Sequence, residues 1–123
     1  MKAILGRFTE PTFALLRIVA GLMFAFHGAQ KFGLFGGQMA PMFSQVFFAG
    51  VIELVGGVLI AVGFMTSLVA FICSGEMAAA YFLAHAPKGV WPNMNGGELA
   101  VLYCFLFLYI AARGGGRYSV DRR

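Results

Sequence analysis

Apolar residues run through this chain in four long blocks, each broken by a short stretch of glycine, proline or polar residues. A helix that crosses a bilayer needs about 20 apolar residues, within a range of roughly 17 to 25. The blocks predict spans over about 12–32, 44–64, 67–86 and 97–112. Pro11 suits a first helical turn and Ser44 is a candidate N-cap. Backbone groups in hydrocarbon must pair within their own segment, so the blocks read as helices. A membrane barrel would show alternating runs of about 10 residues, and the chain has none. The expected fold is all-α, an integral membrane four-helix bundle forming one domain over 1–123.

The breaks differ in kind. Residues 33–43 (GLFGGQMAPMF) hold three glycines and a proline yet stay apolar, which predicts an interfacial loop dipping against the bilayer. Residues 63–67 predict a tight hairpin. Residues 86–96 (APKGVWPNMNG) read as a polar loop, with Trp91 at headgroup level. The stretch from Arg113 onward reads as a polar cytoplasmic tail, 113–123.

Composition strengthens the membrane reading. Of the 123 residues, 60% are hydrophobic and 11% charged, against about 25% charged in a soluble domain. So small a chain has too much surface per volume to hide that imbalance in a core. The lipid bilayer is the expected partner. The net charge of +4 does not point to nucleic acid, because the basic residues gather at the termini and form no basic face. Lys2 and Arg7 before an apolar stretch resemble a signal peptide. The stretch is too long, is interrupted by Arg17 and His27, and lacks an A-x-A site, so it reads as a retained span. Cys73 and Cys104 lie in apolar blocks at different depths and read as free thiols.

Ionisable residues inside spans carry the most information, because each costs about 2.5–3.5 kcal/mol at a bilayer centre on insertion scales. The first span holds Arg17, His27 and Lys31. Glu53 lies in the second, Glu76 in the third, and His85 and Glu98 near the ends of the third and fourth. At about 100° per residue, Arg17, Gly21, Gly28 and Lys31 share a stripe. Ala49, Gly50, Glu53, Gly56 and Gly57 share another, and such small residues let helices approach closely. Depth along the spans predicts two polar layers. Arg17, Glu53 and Glu76 form a buried network near mid-depth. His27, Lys31, His85 and Glu98 form the polar wall of a candidate ligand site in the outer half. The alternative for both layers is ion pairing that only fixes helix register. Histidine is a haem ligand type, but nothing in the spacing of His27 and His85 calls for haem. No HxxE or HxxxH spacing suggests a metal.

Three stretches resemble the DoxX family in order: LLRIVAGLMFAFHGAQKFGLFGG, FFAGVIELVGGVLIAVGFMTSLVA and NGGELAVLYCFLFLYIAARGGGRYSVD. The resemblance runs over nearly the whole chain. The family includes the membrane subunit of thiosulfate:quinone oxidoreductase. It therefore implies a quinone-interacting subunit of a membrane oxidoreductase assembly, with quinone as cofactor and protein partner subunits or a homo-oligomer. Fold kinship does not itself establish catalysis. The competing readings are a non-enzymatic anchoring or stabilising subunit of a larger complex, and a pathway for protons or small solutes. The chemistry fits a quinone site in outline: an apolar slot for ring and tail, hydrogen-bonding groups for its oxygens, and titratable side chains nearby.

The basic residues also orient the chain. Lys2, Arg7, Arg113, Arg117, Arg122 and Arg123 flank the spans on the side of the termini, and only Lys31 and Lys88 lie on the other. The positive-inside rule then puts both termini in the cytoplasm, in a bacterial or archaeal cytoplasmic (inner) membrane. A reporter fused to the C-terminus is expected to read cytoplasmic, and a periplasmic signal there would overturn the orientation.

Overall fold

The computed structural model describes residues 1–122. Arg123, one of the basic residues that orient the chain, lies outside the described residues. A 3-10 turn leads into α1 (Thr9–Gln30), which is followed by α2 (Gln45–Val62) and α3 (Thr66–Ala80). α3 continues through a π turn, Tyr81–His85, and a 3-10 turn, Ala86–Lys88. The one-turn α4 (Pro92–Asn95) and then α5 (Glu98–Arg113) complete the chain. The protein is all-helical, as the apolar blocks predict. Three segments are long and apolar enough to cross a membrane: Gly6–Gln30, Gln45–Val62 and Thr66–Lys88. α5 has 16 residues, or about 24 Å at 1.5 Å per residue, which is short of a hydrocarbon core of about 30 Å.

The helices associate as two close pairs, α1 with α2 and α3 with α5. The first pair depends on small residues. A Cβ added to Gly21 would come within 2.6 Å of the Gly57 carbonyl oxygen, and one added to Gly57 within 2.5 Å of the Ala25 nitrogen. Gly28 meets Leu54 and Gly50 in the same way. Backbones in contact gain dispersion energy where lipid tails compete equally for apolar side chains. The fully buried centre joins both pairs through Phe24, Ile60, Phe107 and Ile110. Phe24 meets Phe107 edge-on with centroids 4.8 Å apart. Exposed leucines, valines and phenylalanines cover the outside, the surface expected of a chain solvated by lipid.

Helix ends follow local rules at some positions and not at others. Ser44 caps α2 as expected, its hydroxyl accepting from the Phe47 N–H at 3.1 Å. Gly63 ends α2 in the left-handed region, at φ 76°, which glycine alone adopts freely. α3 then starts after Met65, whose side chain supplies no cap.

The cap comes from the far end of the chain. Asp121 accepts from the Met65 N–H at 3.0 Å, the Thr66 N–H at 2.8 Å and the Thr66 hydroxyl at 2.7 Å. The stretch after Arg113 is therefore not the polar tail that its composition predicts. It folds back over the α2–α3 hairpin, with Val120 donating to the Val62 carbonyl and Asp121 to that of Gly63. Ser119 is buried. A carboxylate at a helix N-terminus satisfies donors that would otherwise lack partners in hydrocarbon, and it complements the helix dipole.

Arg17 holds the same assembly from inside. Its side chain is almost wholly buried. Nε donates to the Ile60 carbonyl at 3.0 Å, and Nη1 to that of Gly115 at 2.6 Å. Nη2 donates to the carbonyls of Ala61 at 3.2 Å and Tyr118 at 2.9 Å. The expected network of Arg17 with Glu53 and Glu76 is thus corrected. The register of α1 on α2 is the reason: Gly21 faces Gly57, and Gly28 faces Gly50. Glu53 then lies at the level of His27, ten residues and about 15 Å along the axis from Arg17. Arg17 finds carbonyls at its own depth instead.

Arg17→Leu strips four carbonyls of a donor. Charge-assisted hydrogen bonds contribute about 1.5–3 kcal/mol each but are not additive, and the substitution also removes a buried charge, so a net loss of about 2–4 kcal/mol is expected. Asp121→Ala should cost about 1–2 kcal/mol, as other lost N-caps do. Thermal unfolding in detergent checks both. Wild-type stability of Arg17→Leu would contradict the role given to the guanidinium.

Candidate functional site

At the opposite end from the termini, the two helix pairs part around a cavity of about 580 Å³. Pockets for small organic ligands are typically about 300–1,000 Å³. α1 contributes Phe24, His27 and, at its C-cap, Lys31. α2 contributes Ile52 and Glu53, α3 contributes Glu76, the π turn His85, and α5 Tyr103. Several rim residues, Val46, Phe48, Leu83 and Leu99 among them, are exposed and apolar. The cavity therefore opens through an apolar rim.

Each polar side chain reaches the cavity for a local reason. Lys31 directs its ammonium to Glu53, with Nζ 2.7 Å from Oε1. The Glu53 side chain is 2% exposed and that of Lys31 28%, so the pair is buried at one end and wet at the other. Glu76 faces the same carboxyl closely enough for the two to share a hydrogen bond. His27 meets the Tyr103 ring edge-on at 6.2 Å. The π turn widens the helix by a residue, a feature common at functional sites, and it delivers His85 to the cavity. Gly97 allows this, since a Cβ there would press within 2.7 Å of both His85 and Tyr81. Asn95 fastens the turn, donating to the Tyr81 hydroxyl at 3.1 Å and the Gly89 carbonyl at 3.0 Å. Residues 86–96 are therefore more ordered than a polar loop, and Asn95 is buried.

Among the described residues, three buried side-chain atoms have no hydrogen-bond partner: Glu76 Oε1, His85 Nδ1 and Tyr103 OH. All three residues line this one cavity. Leaving a buried polar atom unsatisfied costs about 1–3 kcal/mol, and native proteins concentrate that cost where a ligand or reaction uses it.

The profile of the DoxX family matches residues 12–86. The chain belongs to the DoxX family. It is 46% identical over 118 residues to an uncharacterized protein of Haemophilus influenzae, covering 89% of this chain and 88% of that one. It is 27% identical over 133 residues to an uncharacterized membrane protein of Mycobacterium tuberculosis, covering 92% and 81% respectively. No solved structure matches it. This DoxX protein is thus a helical membrane protein with bacterial relatives.

The sequence-derived site residues are redistributed by the fold. His27, Lys31 and His85 line the cavity together, and Glu53 and Glu76 join them. The two predicted layers merge, and Arg17 leaves for the other end. Glu98 is not among the lining residues. It is exposed at the start of α5, on the side of Leu102, Phe105 and Tyr109, all of which are exposed. The packed face of α5 is Ala100, Tyr103, Phe107 and Ile110. Tyr103 is absent from the sequence-derived site. Its signal was present: a phenol at helical spacing with Phe107 and Ile110, on the face opposite the one Glu98 occupies.

The Lys31–Glu53 pair makes an asymmetric prediction. Lys31→Met leaves the buried Glu53 carboxylate without its cation. Breaking a fully buried pair costs about 3–5 kcal/mol, and the partial exposure of Lys31 lowers the expected loss to about 2–3 kcal/mol. Glu53→Gln leaves an ammonium that can reach water and should cost less. Equal thermal stability losses for the two variants would contradict this description of the pair.

Proposed function

We propose that this DoxX protein is a quinone-interacting subunit of a membrane oxidoreductase assembly, resident in the cytoplasmic membrane with both termini on the cytoplasmic side. The observation carrying the proposal is the confinement of all three unpartnered buried polar atoms to one cavity with an apolar rim. A flat ring with oxygens at opposite ends matches an apolar slot bearing polar groups on more than one wall. The residues present therefore fit such a group. Phe24 and Ile52 supply apolar wall on the side of α1 and α2. His85 and Tyr103, on separate helical segments, offer hydrogen bonds to ring oxygens. The rim would admit a lipid-soluble molecule without passage through water. A bound quinone supplies the two-electron, two-proton carrier that no side chain here provides. Partner subunits or a reductant supply the electrons.

Binding of a short-chain quinone analogue to the full chain in nanodiscs tests the reading. His85→Ala is expected to weaken binding about tenfold, the loss of roughly one well-formed hydrogen bond. Glu98→Gln should leave it unchanged. Equal affinity in wild type and His85→Ala would remove the imidazole from the site, and the anchoring-subunit reading would then describe the chain better.

A further inference from the structure

Glu76 restricts which form of a ligand the cavity can satisfy. His85 Nδ1 and Tyr103 OH are adaptable, because an imidazole nitrogen and a phenol can each donate or accept. Glu76 Oε1 is not adaptable. If the carboxyl is ionised, it has no hydrogen to give. If it is protonated, its hydrogen is directed at the neighbouring Glu53 carboxyl, with which it shares a hydrogen bond. Oε1 is then the carbonyl oxygen. In both states the atom left without a protein partner is an acceptor. Glu53 cannot relieve it by turning away, because its own Oε1 is fixed by Lys31 at 2.7 Å. The remaining neighbours are apolar or sulfur-bearing: Cys73 is fully buried and Met77 nearly so.

From this we infer that the cavity is selective for the hydroxyl-bearing, reduced form of its ligand, a quinol rather than a quinone, with Glu76 as the specificity-determining residue. The inference rests on the quinone-site reading and sharpens it. A quinone offers only acceptors, and placing one against Oε1 sets two lone pairs face to face. A quinol offers an O–H to Oε1 at one end. At the other end its second hydroxyl can donate to or accept from His85 or Tyr103. A hydrogen-bonding site rejects a ligand that lacks the matching hydrogen more strongly than an apolar pocket rejects an extra group, because the site's own polar atom is left unpaired.

The test titrates the full chain in nanodiscs, without oxygen, with three probes of one shape: a short-chain benzoquinol, its benzoquinone and its quinol dimethyl ether. Wild type should bind the quinol about tenfold more tightly than either of the others, the effect of one hydrogen bond. Glu76→Leu should reduce quinol affinity to that of the ether. Glu76→Gln keeps the size and a link to Glu53 while offering an N–H, so it should raise quinone affinity relative to quinol. The Gln variant keeps the test decisive if the Leu variant fails to fold. Tighter or equal quinone binding by wild type, or a quinol preference that survives Glu76→Gln, would overturn the inference while leaving the quinone site standing. If wild type binds none of the three, the quinone-site reading itself falls, and the inference with it.

Discussion

A single guanidinium, that of Arg17, determines how this chain is closed at the end where its termini lie. In lipid, a helix end must find partners for its last carbonyls within the protein, because no water is available to supply them. Arg17 supplies donors to two carbonyls at the end of α2 and two from the segment after α5. Its planar fork suits this task better than the point charge of a lysine. The positive charge also sits at the negative end of the α2 dipole. Fixing residues 115–118 in this way brings Ser119 and Asp121 onto the hairpin, and Asp121 then caps α3. One side chain thus links the first helix, the second helix and the C-terminal segment, and through that segment the third helix.

Glu10 completes the closure on the outside of the same end. Its carboxylate pairs with the Arg113 side chain and accepts from the Arg117 N–H. The Arg113 guanidinium lies 3.8 Å from the centre of the Phe13 ring. This end contains charge, but its charges have partners. The cavity end is built the opposite way. There, three buried polar atoms lack partners, while Lys31 and Glu53 satisfy each other. Between the two lies the apolar layer of Phe24, Ile60, Phe107 and Ile110, each almost wholly buried. The ends are therefore separated by packed side chains, and stability and candidate chemistry occupy different regions of one small bundle.

The cavity follows from how the helices pair. α1 and α2 approach closely because Gly21, Gly28 and Gly57 permit backbone contact. α3 and α5 form the second close pair. The pairs converge at the aromatic layer and separate beyond it, where the π turn replaces regular helix and α4 takes up the chain. His85 reaches the cavity through that irregularity, and Asn95 keeps the irregular segment in place.

The sequence by itself determined the helical class, the membrane setting and the small-residue face that joins α1 to α2. Each depends on local composition or on periodicity within one helix, which the sequence displays directly. It also brought His27, Lys31 and His85 together, because all three lie near the same end of their segments. Tertiary structure decided the pairing of charges. Whether Glu53 meets Arg17 or Lys31 depends on the register of α1 against α2, and a shift of a few residues moves a side chain by a full helical turn. It also decided which face of α5 is buried, excluding Glu98 and admitting Tyr103, because a uniformly apolar helix of modest length carries little signal of its inward side. The fate of residues 114–122 was the least legible. A run of glycines and charged residues reads as a solvated tail unless a buried donor such as Arg17 and an uncapped helix such as α3 are already in place to receive it.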